Sequence, residues 1–393
     1  MRSGLEVFVE EYAEKYRGAR IGLCCNPTAV DRTYIHAIDL LQSKGLPLKR
    51  LFGPEHGISA TAQDMIGVTD GDGGVAPGVE TVSLYGDTVE SLRPPASSLA
   101  DLDLLLFDVQ DIGSRYYTFQ ATLGYIMEVA ATTGTPVVVL DRPNPINGVA
   151  MEGNLVRKGY ESFVSAYNLP NRHAMTMGEL AAYFRRVVGI QANVEIIRCE
   201  GWDRATWLDQ TPLPWVIPSP NMPTLETAAI YPGMCLIEGT NLSEGRGTTR
   251  PFHFVGAPWL RPGRFAELCR KGAFDAGLEG VAFRPIEFFP QFQKHAKQTC
   301  GGVEIHVTDR DAMEPLLLGL VVLEAARRAD PARFAWRTEV YEFVKEPIAI
   351  DLLCGGAEAR LGIEAGVSPR ELVNGWLPEL EEWKPLREAC LLY

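Results

Sequence analysis

The chain has 393 residues, 46% of them hydrophobic, and a formal net charge of −13. That is enough apolar material for two domains with a core each. The acidic balance, with no clustered run of Lys and Arg, argues against a nucleic-acid partner, and the apolar run at 316–323 is too short to span a bilayer.

Residues 1–6 lead into a charged amphipathic helix predicted at 5–16 rather than into an apolar signal region. The chain therefore reads as cytoplasmic as written, and as secreted or periplasmic if an export signal has been trimmed. Strand-length apolar runs then alternate with segments of helical period. Strands are expected at 20–25, 47–52, 102–108, 136–141 and 194–199, with helices at 33–44, 119–132 and 176–188. The last helix opens on Thr176 with Glu179 three residues on, a capping box. This alternation predicts an α/β, Rossmann-like domain with a parallel sheet over residues 1–203. Residues 57–95 interrupt it, polar and dense in Gly and Pro, and their position directly behind Glu55-His56 predicts a lid or a substrate-contacting excursion. Beyond Trp202 the apolar runs become short and uneven. Strands are expected at 215–218, 228–237, 252–255, 281–289, 302–307 and 341–350, and helices at 314–328 and 369–383, a smaller and mostly β domain of the α+β kind over 204–393. Eight scattered cysteines without a Cys-x-x-Cys pair suit reduced core thiols.

The polar residues crowd at the ends of the predicted strands, where open α/β sheets bind ligands. Asn26-Pro27-Thr28 follows the first, Gly53-Pro54-Glu55-His56-Gly57 the second, the segment from Asp108 to Tyr117 the third, and Asp141-Arg142-Pro143-Asn144-Pro145 the fourth. None contains Gly-x-Gly-x-x-Gly or a P-loop, so a nucleotide-binding reading lacks its phosphate cradle. Proline before and glycine after fix the direction of Glu55, which suits a general acid, with His56 beside it as partner or second proton carrier. The plainer alternative is a cap and a packed imidazole. Asp108 and Asp111 offer further carboxylates for a pair across a scissile bond, or Asp108 caps a turn and pairs with Arg115 or Arg142. Tyr116, Tyr117 and Phe119 offer stacking surface or core. In the second half, Pro218-Ser219-Pro220-Asn221-Met222-Pro223 and the stretch from Glu238 to Phe252 are too rich in small hydrogen-bonding residues for a core element and present groups that read hydroxyls. The six histidines are dispersed without ligand spacing, so neither a metal nor another cofactor is expected.

Several of these stretches together resemble the DUF1343 family, which includes exo-β-N-acetylmuramidases of the NamZ type. They are Gly-Pro-Glu-His-Gly (53–57), Ser-Leu-Tyr-Gly (83–86), Phe-Asp-Val-Gln-Asp-Ile-Gly-Ser-Arg-Tyr-Tyr-Thr (107–118), Val-Leu-Asp-Arg-Pro-Asn-Pro-Ile-Asn-Gly (139–148), Pro-Ser-Pro-Asn-Met-Pro (218–223), Glu-Gly-Thr-Asn-Leu-Ser-Glu-Gly-Arg-Gly-Thr-Thr (238–249) and Leu-Leu-Tyr (391–393). The resemblance implies a Rossmann-like domain joined to a smaller barrel-like one, with the site between them. It also implies release of N-acetylmuramic acid from the non-reducing end of peptidoglycan fragments, with Glu55 as catalytic acid. One departure is Ala62-Gln63-Asp64, where family members tend to carry Gly-Glu, which bears on the contacts of that loop and the substrate range. The lactyl carboxylate of such a sugar needs a local cation, for which Arg246, Arg115 and Arg142 are candidates. Its hydroxyls and acetamido group need neutral partners such as Asn26, Asn144, Asn221 and Asn241. Asp108, Asp111 or Glu244 is then the second carboxylate, unless the acetamido group itself is the nucleophile. The competing expectation is a non-catalytic sugar- or muropeptide-binding protein that uses the same cleft.

Overall fold

Six short apolar runs pair into one parallel sheet. They are β1 (Ile21–Cys25), β2 (Leu48–Gly53), β3 (Glu80–Ser83), β4 (Leu104–Asp108), β5 (Val137–Leu140) and β6 (Val194–Ile197), in the spatial order β3-β2-β1-β4-β5-β6. β1, β4 and β5 are buried along their whole length, as strands covered on both faces must be. The order is that of a Rossmann-type sheet, reversing direction between β1 and β4. The computed structural model describes residues 1–63, 65–69 and 76–393, so part of the stretch expected as a lid, including Asp64, lies outside the described residues.

Five of these strands stand where apolar runs predict them. β3 does not, because it is an edge strand with Val82 as its one buried residue and so shows no apolar pattern. The first half therefore has the α/β architecture expected of it.

The second half carries an antiparallel sheet of β7 (Phe254–Ala257), β8 (Val281–Phe288) and β9 (Cys300–Val307), in the order β7-β9-β8. Helices Pro262–Ala276 and Pro315–Ala329 accompany it. Three predicted strands differ. Residues 215–218 form no strand, their prolines at 214 and 218 leaving an irregular connection. Residues 228–237 belong to helix Leu225–Met234 and the turn after it, capped by Thr224, whose hydroxyl accepts from the Thr227 amide at 3.2 Å. This run is apolar all round, and without periodicity a fully buried helix reads like a buried strand. Helix Leu225–Met234 meets helix Pro315–Ala329 backbone to backbone: a Cβ on Gly233 would lie 1.6 Å from the Pro315 carbonyl oxygen. Residues 341–350 form a tight turn bridged by Tyr341 and Val344, followed by the start of helix Ala349–Cys354.

One apolar cluster runs through both halves, from Phe107 and Phe119 to Tyr231 and Leu317. Helix Pro369–Glu388 returns over the first half, where the Trp383 indole donates to the Tyr183 hydroxyl at 3.0 Å. Tyr393 then fastens the ends of β5 and β6. Its hydroxyl donates to Asp141 Oδ2 at 2.6 Å and accepts from the Cys199 amide at 2.8 Å. Burial pushes the Asp141 carboxyl up to about 6. All eight cysteines are buried and free. Among the described residues no helix is long and apolar enough to cross a membrane.

Candidate active site

β2 ends in a turn that sets Glu55. The Gly57 amide donates to the Pro54 carbonyl at 2.9 Å, closing the turn over Glu55 and His56. His56 has φ 69° and Gly57 φ 79°. The third position of such a turn is ordinarily held by Gly or Asn, so an imidazole there sits on a disfavoured backbone. The His56 Nδ1 faces the Ala62 carbonyl at 2.8 Å, and because a carbonyl only accepts, Nδ1 carries a hydrogen and the ring is fixed through that bond. Glu55 is buried at 7% exposure, and its Oε2 accepts from the Thr118 hydroxyl. Thr118 is the N-cap residue of helix Phe119–Thr133, yet its side chain makes no capping bond. The hydroxyl that would close the helix holds the carboxyl instead.

Around this pair is a polar cavity with about 460 Å³ of empty space, partly open to solvent. The first half contributes Glu55, His56 and the segment Tyr116 to Phe119; the second half contributes Ser219, Asn221, Tyr231, Glu238, Arg246, Tyr341 and Glu342. Burial pushes the phenols of Tyr116, Tyr117 and Tyr231 far up, so all three remain neutral donors. Arg246 Nη2 bonds Glu238 Oε1 at 2.6 Å, and its Nε lies 3.2 Å from Glu244 Oε1. Lys294 approaches Glu244 Oε2 at 3.0 Å, and the Tyr341 hydroxyl donates to Glu238 Oε2 at 2.8 Å. Arg246 and Lys294 thus face Glu238 and Glu244.

Of the residues expected at the site, Glu55, His56, Tyr116, Asn221 and Arg246 line this cavity, and Glu244 stands behind Arg246. The others belong elsewhere. Asp108 and Arg142 form a buried pair, with Nε–Oδ1 at 2.5 Å and Nη2–Oδ2 at 3.0 Å, so neither an acid for catalysis nor a cation for the substrate is available there. Arg115 is fully buried and donates to the carbonyls of Asn154, Leu169 and Leu353; burial lowers its guanidinium to about 10. Asp111 accepts from the Gly113 amide at 2.7 Å and faces His173 at 3.4 Å. Asn26 bonds within its own turn to the Thr28 amide at 3.0 Å, and Asn144 donates to the Met175 carbonyl at 3.0 Å. Asn241 is engaged by Arg333 and Ala335. The crevice between β1 and β4, where a Rossmann sheet would bind a nucleotide, is crossed by the protein's own bond from the Gln110 amide to Thr28 Oγ1 at 2.9 Å. Among the described residues no cluster of three or more potential metal ligands occurs.

The chain matches two successive family profiles, described as exo-beta-N-acetylmuramidase NamZ, N-terminal, over residues 21–226, and NamZ, C-terminal, over 229–393. It belongs to the NamZ family. It is 38% identical to peptidoglycan beta-N-acetylmuramidase NamZ of Bacillus subtilis, an alignment that covers 100% of this chain and 91% of that protein. Two DUF1343 family proteins of Bacteroides fragilis NCTC 9343 share the fold over 100% of this chain and 98% of each of theirs. One has a TM-score of 0.85 at 31% identity and the other 0.77 at 26%.

Against this NamZ-type fold, the residues that sequence reasoning passed over come from two sources. Thr118 and Glu238 stand inside the motifs that carry the family resemblance, and what hid them was the lack of any sign that they face Glu55. Glu342 has no such motif. It lies in a run of mixed aromatic and acidic residues that reads as a strand, and its turn conformation leaves no trace in composition. Gln63, in the loop that departs from the family pattern, accepts from Asn221 Nδ2 at 2.9 Å and so ties that loop to the cavity wall.

Proposed function

We propose that this protein is an exo-acting glycoside hydrolase that removes N-acetylmuramic acid from the non-reducing end of peptidoglycan fragments, with Glu55 as general acid. The observation that carries the reading is the Glu55 carboxyl, buried and hydroxyl-held at the tip of β2, in a chain of the NamZ family. Glycosidic cleavage needs a proton delivered to the leaving oxygen as the bond to C1 breaks, and a buried acid of fixed direction serves that step. His56 lies beside it with its ring fixed through Nδ1, placed to orient a hydroxyl or pass a proton. The neutral phenols and Asn221 offer donors for ring hydroxyls and the acetamido group. Arg246 supports this wall by holding Glu238 and Glu244 rather than standing as a spare cation.

Glu55→Gln keeps the shape and one acceptor for Thr118 but removes the proton. On a β-muramide with a chromogenic leaving group, kcat should fall about 10²–10⁴-fold while circular dichroism stays unchanged. Retained turnover would sink the assignment. Binding of a muropeptide by the wild-type protein without release of sugar would instead favour a binding protein.

A further inference from the structure

We propose that Glu342 is the second catalytic carboxylate of this site, the group that accepts a proton while Glu55 donates one; the proposal rests on the glycosidase reading above. Both side chains line the same cavity, Glu55 from the tip of β2 and Glu342 from the second half of the chain. Glu342 is buried at 4% exposure.

The local backbone marks it out. Tyr341 and Val344 exchange backbone hydrogen bonds of 2.8 and 2.9 Å, closing a two-residue turn around Glu342 and Phe343. Both central residues have positive φ, 45° and 68°. That is the sign pattern of a type I′ turn, whose central places are normally taken by Asn and Gly. A long acid and an aromatic ring are poorly suited to it. Conflict between local sequence and local structure gathers at functional sites, where the surroundings enforce a conformation the segment would not choose. Here those surroundings are visible. The Tyr341 hydroxyl is anchored on Glu238 at 2.8 Å, the Phe343 ring centroid lies 5.8 Å from that of Tyr85, and the Tyr85 hydroxyl donates to Glu342 Oε2 at 3.0 Å. One tyrosine therefore both packs on the turn and aims its carboxylate.

Glu238, Glu244 and Asp108 are each held by a cation. Glu238 meets Arg246 on one oxygen and Tyr341 on the other, and Glu244 meets Arg246 and Lys294. Asp108 is closed off by Arg142. Glu342 shares with Glu55 a bond accepted from a hydroxyl, that of Tyr85 at 3.0 Å, and a place on the wall of the same cavity. In the reaction the C1–O bond breaks with its electron pair on the leaving oxygen, which takes the proton of Glu55. A water forms the new bond to C1 and gives its proton to Glu342. The sum is hydrolysis, with no other reactant.

The test compares kcat and KM on a chromogenic β-muramide for the wild type, Glu342→Gln, Glu342→Gly and Glu238→Gly. Glu342→Gln keeps an acceptor for Tyr85, and its kcat should fall about 10²–10⁴-fold with KM changed less than about threefold. Sodium azide should restore turnover to Glu342→Gly by attacking C1 from the vacated space, with the glycosyl azide as product. A merely structural residue gives no such rescue. Turnover of Glu342→Gln within about tenfold of the wild type, or azide rescue of Glu238→Gly in place of Glu342→Gly, overturns the proposal. A wild type that releases no sugar overturns the glycosidase reading and this proposal with it, whereas an active wild type beside an active Glu342→Gln overturns the role of Glu342 alone.

Discussion

Asp108→Asn separates a catalytic from a structural carboxylate. Asp108 is 0% and Arg142 4% exposed, and the two share the bidentate contact described above. Removing one partner of a buried ion pair costs about 3–5 kcal/mol, because the other charge stays buried without compensation. The asparagine oxygen still accepts one bond, and Arg142 keeps its bond to the Val30 carbonyl at 3.0 Å, so the lower end, about 3 kcal/mol, applies. With an unfolding entropy of about 2.1 cal/mol/K per residue, a chain of 393 residues that unfolds as one unit should lose roughly 4 °C in Tm. Turnover on a β-muramide, normalised to native protein at a temperature well below the transition, should stay within about threefold of the wild type. The double variant Asp108→Leu, Arg142→Met should cost less than the sum of the single changes, since neither charge is then stranded. Calorimetry and the turnover assay together decide the matter. An unchanged Tm with kcat reduced about 10²-fold or more would make Asp108 a catalytic group and refute the structural account.

Other substitutions test other joints of the structure. Tyr393→Phe removes the donor to Asp141 Oδ2, and the deficit depends on pH with a definite sign. The Asp141 carboxyl is raised from 3.8 to about 6, so its folded-state contribution is full below the unfolded value and is lost as pH rises through about 6. Above that pH the missing hydroxyl is missed by a charge, about 1.5–3 kcal/mol, and below it by a neutral acid, about 0.5–1.5 kcal/mol. Urea unfolding should therefore show a larger deficit at pH 8 than at pH 5, and equal deficits would contradict the bond. Gly233→Ala places a methyl into the Pro315 carbonyl and should lower stability by about 1–3 kcal/mol in the same assay; a neutral result would mean that the two helices do not cross there. Gln63→Leu deprives Asn221 of its acceptor and should raise KM about fivefold through a loss of about 1 kcal/mol in binding, with kcat held; an unchanged KM would remove that loop from the site.

Much of the fold was legible because it rests on neighbours in sequence. Runs such as 20–25 and 102–108, separated by segments of helical period, announce covered parallel strands, and the Gly-Pro before Glu55 announces a turn at a strand end. β3 was not legible, since an edge strand with one buried side chain has no period to show. Nor was helix Leu225–Met234, which is buried on all sides from Thr227 onward, so burial erases the alternation that would separate helix from strand.

The candidate site divides in the same way. Sequence alone determined that Glu55 and His56 stand at the end of β2, that polar residues gather at neighbouring strand tips, and that the chain resembles an acetylmuramidase family. Tertiary structure decided which of those polar groups face one another. Asp108, Arg115, Arg142 and Asn144 are engaged by partners elsewhere in the protein, while Thr118 turns from its helix toward Glu55. Glu342 reaches the cavity from far along the chain, on a turn that its sequence would not favour. Local period and turn chemistry are encoded by adjacent residues, whereas the partner of a buried charge is chosen by long-range competition among donors and acceptors, and that competition is settled only when the chain has folded.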